Sequence, residues 1–126
     1  MKILADSSVW IDFFRRKNKN NQLPELLVEE LVVTNPVILS EILPSLKISK
    51  QSRTIELLEA VEKVDMEIDW DLVVETQIQY SKKFNHFVGI PDILIVQNAL
   101  QKNFILYSFD KDIFNLCEML KCLILK

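Results

Sequence analysis

The chain has 126 residues, 49% of them hydrophobic and 26% charged, with a net charge of −3. This is the composition of one globular domain, residues 1–126, large enough to bury about two thirds of its unfolded surface, and its single glycine excludes a glycine-rich phosphate loop. A pI near 5.2 lacks the basic excess of ordinary nucleic-acid binders, so a nucleic-acid role requires the acids to be gathered in one metal site.

Ile3, Leu4 and Ala5 form a short apolar run of the kind buried on both faces of a sheet. Asp6 ends it, too early for the apolar core of a secretory signal. Ser7 and Ser8 are candidate helix caps, and Val9, Trp10, Phe13 and Phe14 recur at helical spacing. A carboxylate thus stands where a buried strand turns into a helix, the end of an open α/β sheet at which ligands bind. A plain helix cap is the competing reading of Asp6.

Residues 15–22 are polar and basic, a solvated loop with weak potential as a phosphate-facing rim. Pro24 opens a helix carrying Leu26, Leu27 and Leu31, and residues 31–34 are a second strand. Asn35 and Pro36 start the next helix, which is apolar almost all round. Glu41 is its anomaly: an unpaired carboxylate there is costly, so it should face a partner or a metal. Pro44 is expected to kink or end that helix.

An amphipathic helix is predicted over 52–64 and a weak strand over 64–68. Asp69 caps a helix whose inner stripe is read as Trp70, Val73, Val74, Gln77, Ser81 and Phe84. His86, the only histidine, reads as a partner of that helix's C-terminal dipole rather than as a base. Gly89, Ile90, Pro91 and Asp92 open a strongly apolar, central helix reaching Lys102. Asp92 falls in its first turn, where acids also occur for dipole reasons alone.

Residues 104–107 are a strand, followed directly by Ser108, Phe109, Asp110, Lys111 and Asp112, and residues 122–125 are a last strand. Cys117 and Cys122 fit no zinc spacing and read as reduced, partly buried thiols of a cytosolic protein. No apolar run has the length of a membrane span. The alternation predicts an α/β/α sandwich on a mostly parallel sheet of about five short strands.

Four carboxylates then share one property. Asp6 ends the first strand, Glu41 projects from the helix after the second, Asp92 opens the helix before the fourth, and Asp110 lies just beyond the fourth. With the first and fourth strands adjacent, all four converge on one end of the sheet. Two like charges about 4 Å apart repel by roughly 4 kcal/mol at an effective dielectric of 20. Such a cluster needs a cation or protons. An all-oxygen donor set without cysteine or histidine favours Mg²⁺ or Mn²⁺ over zinc, and the chemistry that follows is metal-assisted attack of water on a phosphodiester.

These residues carry a resemblance. ILADSSVWIDFFR at 3–15, LSEIL at 39–43, GIPDILIVQNAL at 89–100 and LYSFDKDIF at 106–114 occur in the order and spacing of PIN-domain proteins, and the chain most closely resembles the VapC-type toxin ribonucleases. The resemblance implies a PIN-like fold and a metal-dependent endoribonuclease. Its acids match Asp6, Glu41, Asp92 and Asp110, with Asp112 as the alternative fourth and a hydroxyl position at Ser8. It implies Mg²⁺ or Mn²⁺ as cofactor, an RNA substrate (tRNA or rRNA), a cognate antitoxin, a homodimer and a cytoplasmic setting. Arg15, Arg16, Lys17 and Lys19 are candidates for contacts to the RNA backbone, against plain solvation.

Three departures from the family pattern stand out: Pro44 three residues after Glu41, the bulky ILIVQNAL after Asp92, and Tyr107, Ser108 and Phe109 in place of a threonine-containing stretch. Two rival readings are a PIN-like module that binds without cutting and a receiver-type phosphoacceptor. The receiver is disfavoured because Asp6 stands without an acidic neighbour.

Overall fold

A computed structural model describes all 126 residues, Met1–Lys126. Its frame is a parallel sheet of β1 (Ile3–Ala5), β2 (Val32–Thr34), β3 (Glu62–Lys63) and β4 (Ile105–Tyr107), in the order β3-β2-β1-β4. β1 lies between β2 and β4, with Leu4 beside both Val33 and Leu106 and Ala5 beside Tyr107. Ile3, Leu4 and Ala5 are all buried. Successive strand side chains point to opposite faces, so both faces are covered.

The cover consists of α1 (Ser7–Arg15), α2 (Leu23–Val28), α3 (Pro36–Ile48), α4 (Ser52–Ala60), α5 (Trp70–Phe84), α6 (Ile90–Lys102) and α7 (Lys111–Leu120). α6 is the central helix: every residue from Ile93 to Ala99 is buried, and it packs on α3, α5, α7 and β4. Trp10 of α1 is fully buried against Phe13 and Phe14. No helix is long and apolar enough to cross a membrane.

Buried amides fasten the layers. Asn35 Oδ1 caps α3 by accepting from the Ile38 amide, while its Nδ2 donates to Asn98 Oδ1 of α6 at 2.9 Å. Asn98 Nδ2 donates to the Asp65 carbonyl, and Gln97 exchanges two hydrogen bonds with the Asp69 backbone. Gln77 of α5 bonds both the N–H and the carbonyl of Val88, fixing the loop that leads into α6. Each buried amide is therefore satisfied, as burial of polar groups demands.

Several expectations need correction. The sheet has four strands, and residues 122–125 add only an isolated bridge, Leu106 to Ile124. The reason lies at β4, whose next residue, Ser108, leaves the sheet to bond Asp6. The third strand is Glu62–Lys63 rather than 64–68, and α4 stops at Ala60 because Val61 turns extended. Both β3 side chains are exposed, so no apolar alternation marks this edge strand.

Pro44 does not end α3. Its ring leaves the Ser40 carbonyl without a helical donor, but both residues are exposed and water can serve that oxygen. On α5 the buried positions are Val73, Thr76 and Tyr80, while Trp70 and Val74 are more than half exposed. The 15–22 stretch is not wholly solvated either. Asn21 is buried, donates to the Val9 carbonyl and to Asp12, and accepts from the Leu23 amide and the Tyr107 hydroxyl.

With almost no glycine, the helices end on other left-handed residues: Arg16, Asn85, Asn103 and Lys121 all have φ between 51° and 63°. Asparagine tolerates this region, whereas lysine is strained there by contact of its Cβ with the backbone. Lys121→Gly should therefore raise stability by about 0.5–1 kcal/mol in a denaturant titration, the relief of strain exceeding glycine's added chain entropy.

Candidate active site

The ends of β1 and β4 are laced together around Asp6. Its amide donates to the Tyr107 carbonyl at 2.9 Å, and its side chain is only 2% exposed. Oδ2 accepts from Ser8 Oγ at 2.8 Å and from Ser108 Oγ at 2.7 Å, and Oδ1 accepts from Ser7 Oγ at 3.3 Å. The two serines accept in turn from the next segment: Ser8 Oγ from the Phe109 amide, Ser108 Oγ from the Asp110 amide. Asp6 occupies the capping position of α1 but makes no capping bond, and neither Ser7 nor Ser8 caps. The helix-cap reading of Asp6 therefore fails. Its carboxylate is turned into the strand ends and held there by hydroxyls.

Asp110 does cap a helix. Its Oδ1 accepts from the Asp112 amide at 2.8 Å at the start of α7. Asp92 stands in the first turn of α6 and accepts no hydrogen bond from any side chain or amide. The carboxylate oxygens of Asp92, Asp110 and Asp112 lie within 4.8 Å of one another, each residue half-buried. Asp112, the alternative fourth acid, thus belongs to the tightest trio, because α7 presents it two residues beyond its cap.

Electrostatics binds Asp6 and Glu41 to that trio. Burial, and then the charges of Asp110, Asp6, Glu41 and Asp112 in that order, push the Asp92 carboxyl up to about 7. Glu41 on α3 is the most exposed of the acids, yet its carboxyl is partly shielded. That burial first, then the charge of Asp6, raises it above the usual carboxylate range, with the Ser7 hydroxyl opposing. No lysine or arginine pairs with any of these acids, and the imidazole of His86 approaches the cluster, its Nε2 3.4 Å from Asp112 Oδ1. The four predicted acids are therefore one electrostatic cluster at the carboxyl end of the central strands.

The family model of the PIN domain matches residues 3–119. This chain belongs to the PIN-domain family. The fold of this PIN-domain protein is shared by solved structures across nearly its whole length. VapBC2 from Rickettsia felis, solved bound to a DNA fragment from its promoter, aligns with a TM-score of 0.73 and 11% identity, covering 99% of this chain and 98% of that one. VapBC-1 from nontypeable Haemophilus influenzae gives 0.69 and 18%, covering 100% and 98%. VapC20 of Mycobacterium tuberculosis, a sarcin-ricin loop cleaving toxin, gives 0.61 and 18%, covering 90% and 94%. No curated protein sequence gives a significant match.

The donor set of this PIN domain fits a hard divalent cation. Every candidate ligand is a carboxylate oxygen, and the charges that act on Asp92 are all those of other carboxylates. Mg²⁺ and Mn²⁺ suit such sites, whereas zinc and copper favour nitrogen and sulfur. Three of the four basic candidates line grooves, and Lys17 lines neither of them. Arg15 shares a groove of about 380 Å³ between α1 and α3 with Glu41, whereas Arg16 and Lys19 line a separate groove of about 550 Å³ with Arg53.

Sequence reasoning missed the groups that hold the candidate acids in place. Ser108 was legible only as the residue beside Asp110, not as the bridge to Asp6. Tyr80, which donates to Asp112, and Asn115, which donates to Tyr80, carry no local signal, since a tyrosine on an amphipathic helix reads as core.

Proposed function

We propose that this PIN domain, spanning residues 1–126, is a divalent-metal-dependent endoribonuclease and the toxin of a toxin–antitoxin pair. The observation that carries the reading is Asp92, a half-buried carboxyl with no hydrogen-bond donor, facing four other acids. Asp6, Glu41 and Asp92 would hold a first Mg²⁺ or Mn²⁺, and Asp110 would complete the site or hold a second ion when RNA is bound. When bound, the cation supplies Lewis acidity, making water a competent nucleophile at neutral pH and neutralising charge on the phosphate.

The chain's own residues do the rest. Ser8 and Ser108 fix the Asp6 carboxylate through two short hydrogen bonds, so its direction is set before any ligand arrives. The Asp112 amide fixes Asp110 in the same way. Asp92 is raised enough to be protonated in part near neutrality without metal, which lowers the repulsion the empty cluster would otherwise carry. Arg15, on the groove it shares with Glu41, is placed to meet an RNA phosphate beside the acids.

The toxin reading draws support from the likeness to VapBC and VapC structures and to FitAcB from Neisseria gonorrhoeae, at a TM-score of 0.62. An unrestrained ribonuclease would poison its own cell, so the reading includes a tight antitoxin. That partner would cover the acidic cluster with an arginine, since a cation there relieves the same repulsion that a metal relieves. A homodimer acting in the cytoplasm on tRNA or rRNA completes the proposal.

The test uses purified protein freed of any partner. Structured RNA should be cut with Mg²⁺ or Mn²⁺, leaving 5′-phosphate and 3′-hydroxyl ends on sequencing gels, and remain intact with chelator. Cutting that persists undiminished in chelator rejects the metal mechanism. Intact RNA under all metal conditions favours the module that binds without cutting.

A further inference from the structure

We infer that Tyr80 is a positioning residue for Asp112, and that α5 thereby sets one edge of the metal site. This rests on the proposed metal site, to which it adds Asp112 as a carboxylate beside Asp92 and Asp110, and it concerns a residue outside the acidic cluster. The Tyr80 ring is completely buried, between Phe84 at 4.7 Å and His86 at 5.3 Å. Its hydroxyl accepts from Asn115 Nδ2 at 3.2 Å and donates to Asp112 Oδ1 at 2.9 Å. The order matters. Asn115 can only donate through Nδ2, so it occupies a lone pair of the phenol and leaves the phenolic proton to Asp112.

Asp112 and Asn115 are three residues apart on α7 and so share one face of the helix. Both grip the same hydroxyl. This contact is the one that fixes Asp112 from another layer, because Asp110 is held by the α7 backbone and Asp92 by nothing but its own helix. With Oδ1 taken by Tyr80 and approached by His86 at 3.4 Å, Oδ2 accepts no hydrogen bond from the chain. Asp112 is thereby held with one oxygen engaged and one available, in the trio whose carboxylate oxygens lie within 4.8 Å. Groups that orient a metal-binding carboxylate typically change metal affinity by about 10–100-fold when removed.

A tyrosine that only fills the core would have a hydroxyl that is satisfied but without consequence for metal. Mn²⁺ titration followed by electron paramagnetic resonance separates the two, with thermal melts to confirm folding. Tyr80→Phe keeps the ring and removes the donor. It should weaken Mn²⁺ binding by about tenfold. Asp112→Asn should weaken it at least as much, and Tyr80→Phe should add nothing in that background, since its effect runs through Asp112. Asn115→Ala, which leaves Tyr80 in place but loosens its orientation, should give a smaller loss in the same direction.

Unchanged Mn²⁺ affinity in Tyr80→Phe overturns the inference, as does an equal loss with Asp112 already replaced. Asp92→Asn is the control for the underlying site. If wild type binds Mn²⁺ and Asp92→Asn does not, a flat response to Tyr80→Phe counts against the positioning role alone. If wild type shows no binding that Asp92→Asn abolishes, both fall.

Discussion

Asp6→Asn and Asp92→Asn should each reduce metal-dependent RNA cleavage by at least about a thousandfold, because an interaction of roughly 4 kcal/mol with transition-state charge is lost with each ligand. The two substitutions act through different surroundings. Asp6 is buried under three serine hydroxyls, so the amide keeps its shape but meets donors where it now offers donors of its own. Asp92 has no hydrogen bonds to lose, and its amide removes only charge. Loss of cutting in both variants therefore points to the shared requirement for anionic oxygen rather than to a broken local network.

The same variants make the toxin reading measurable in cells. Expression of wild type without its partner should arrest growth, and Asp6→Asn should restore it. Toxicity equal in mutant and wild type counts against the nuclease as its cause. Full cleavage by both variants in vitro rejects the metal site itself.

Much of the sheet was legible because β1, β2 and β4 are short apolar runs that end at polar residues, and burial on both faces leaves that signature. β3 left none. Glu62 and Lys63 pair with β2 through backbone alone, and their exposed side chains look like a helix end. That Pro44 does not end its helix was hidden for a related reason: proline reports a missing donor, and the sequence does not say whether the orphaned carbonyl can reach water.

At the candidate site, Asp6, Asp92 and Asp110 stood out by their places at a strand end and helix starts, and Glu41 by its apolar surroundings, contexts set by local sequence. Asp110 and Asp112 could not be ranked, because both stand at the first turn of one helix. Their separation depends on what α6 and α5 bring across from elsewhere in the chain, Asp92 on one side and Tyr80 on the other. The hydroxyls around Asp6 were half legible. Ser7 and Ser8 adjoin it, but Ser108 arrives through the β1–β4 pairing, a contact across 102 positions.

Asp92→Asn should also make the metal-free protein more stable. Unfolded, this carboxyl ionises near 3.9. Folded without metal, burial and four acidic neighbours hold it at about 7. Between those values the unfolded chain has released a proton that the folded chain retains, so stability falls as pH rises from about 4 to 7, with the whole deficit present above 7. Asparagine has no such deficit. In chelator at pH 8 the variant should be more stable by about 1–2 kcal/mol, a typical gain for relieving a strained functional site, and the carboxyl's partial exposure keeps the effect below the full linkage value. The advantage should shrink as pH falls and vanish near pH 4. Mg²⁺ at a hundredfold excess over its dissociation constant should stabilise wild type by about 2.7 kcal/mol and the variant by much less. If Asp92 served only the dipole of α6, the signs would reverse: the charge would be favourable, and its loss would cost about 0.3–1 kcal/mol with or without metal. Thermal melts of both proteins across pH 4–8, in chelator and in Mg²⁺, decide between these outcomes. A variant that melts below wild type at pH 8 in chelator, and responds equally to Mg²⁺, removes Asp92 from the metal site.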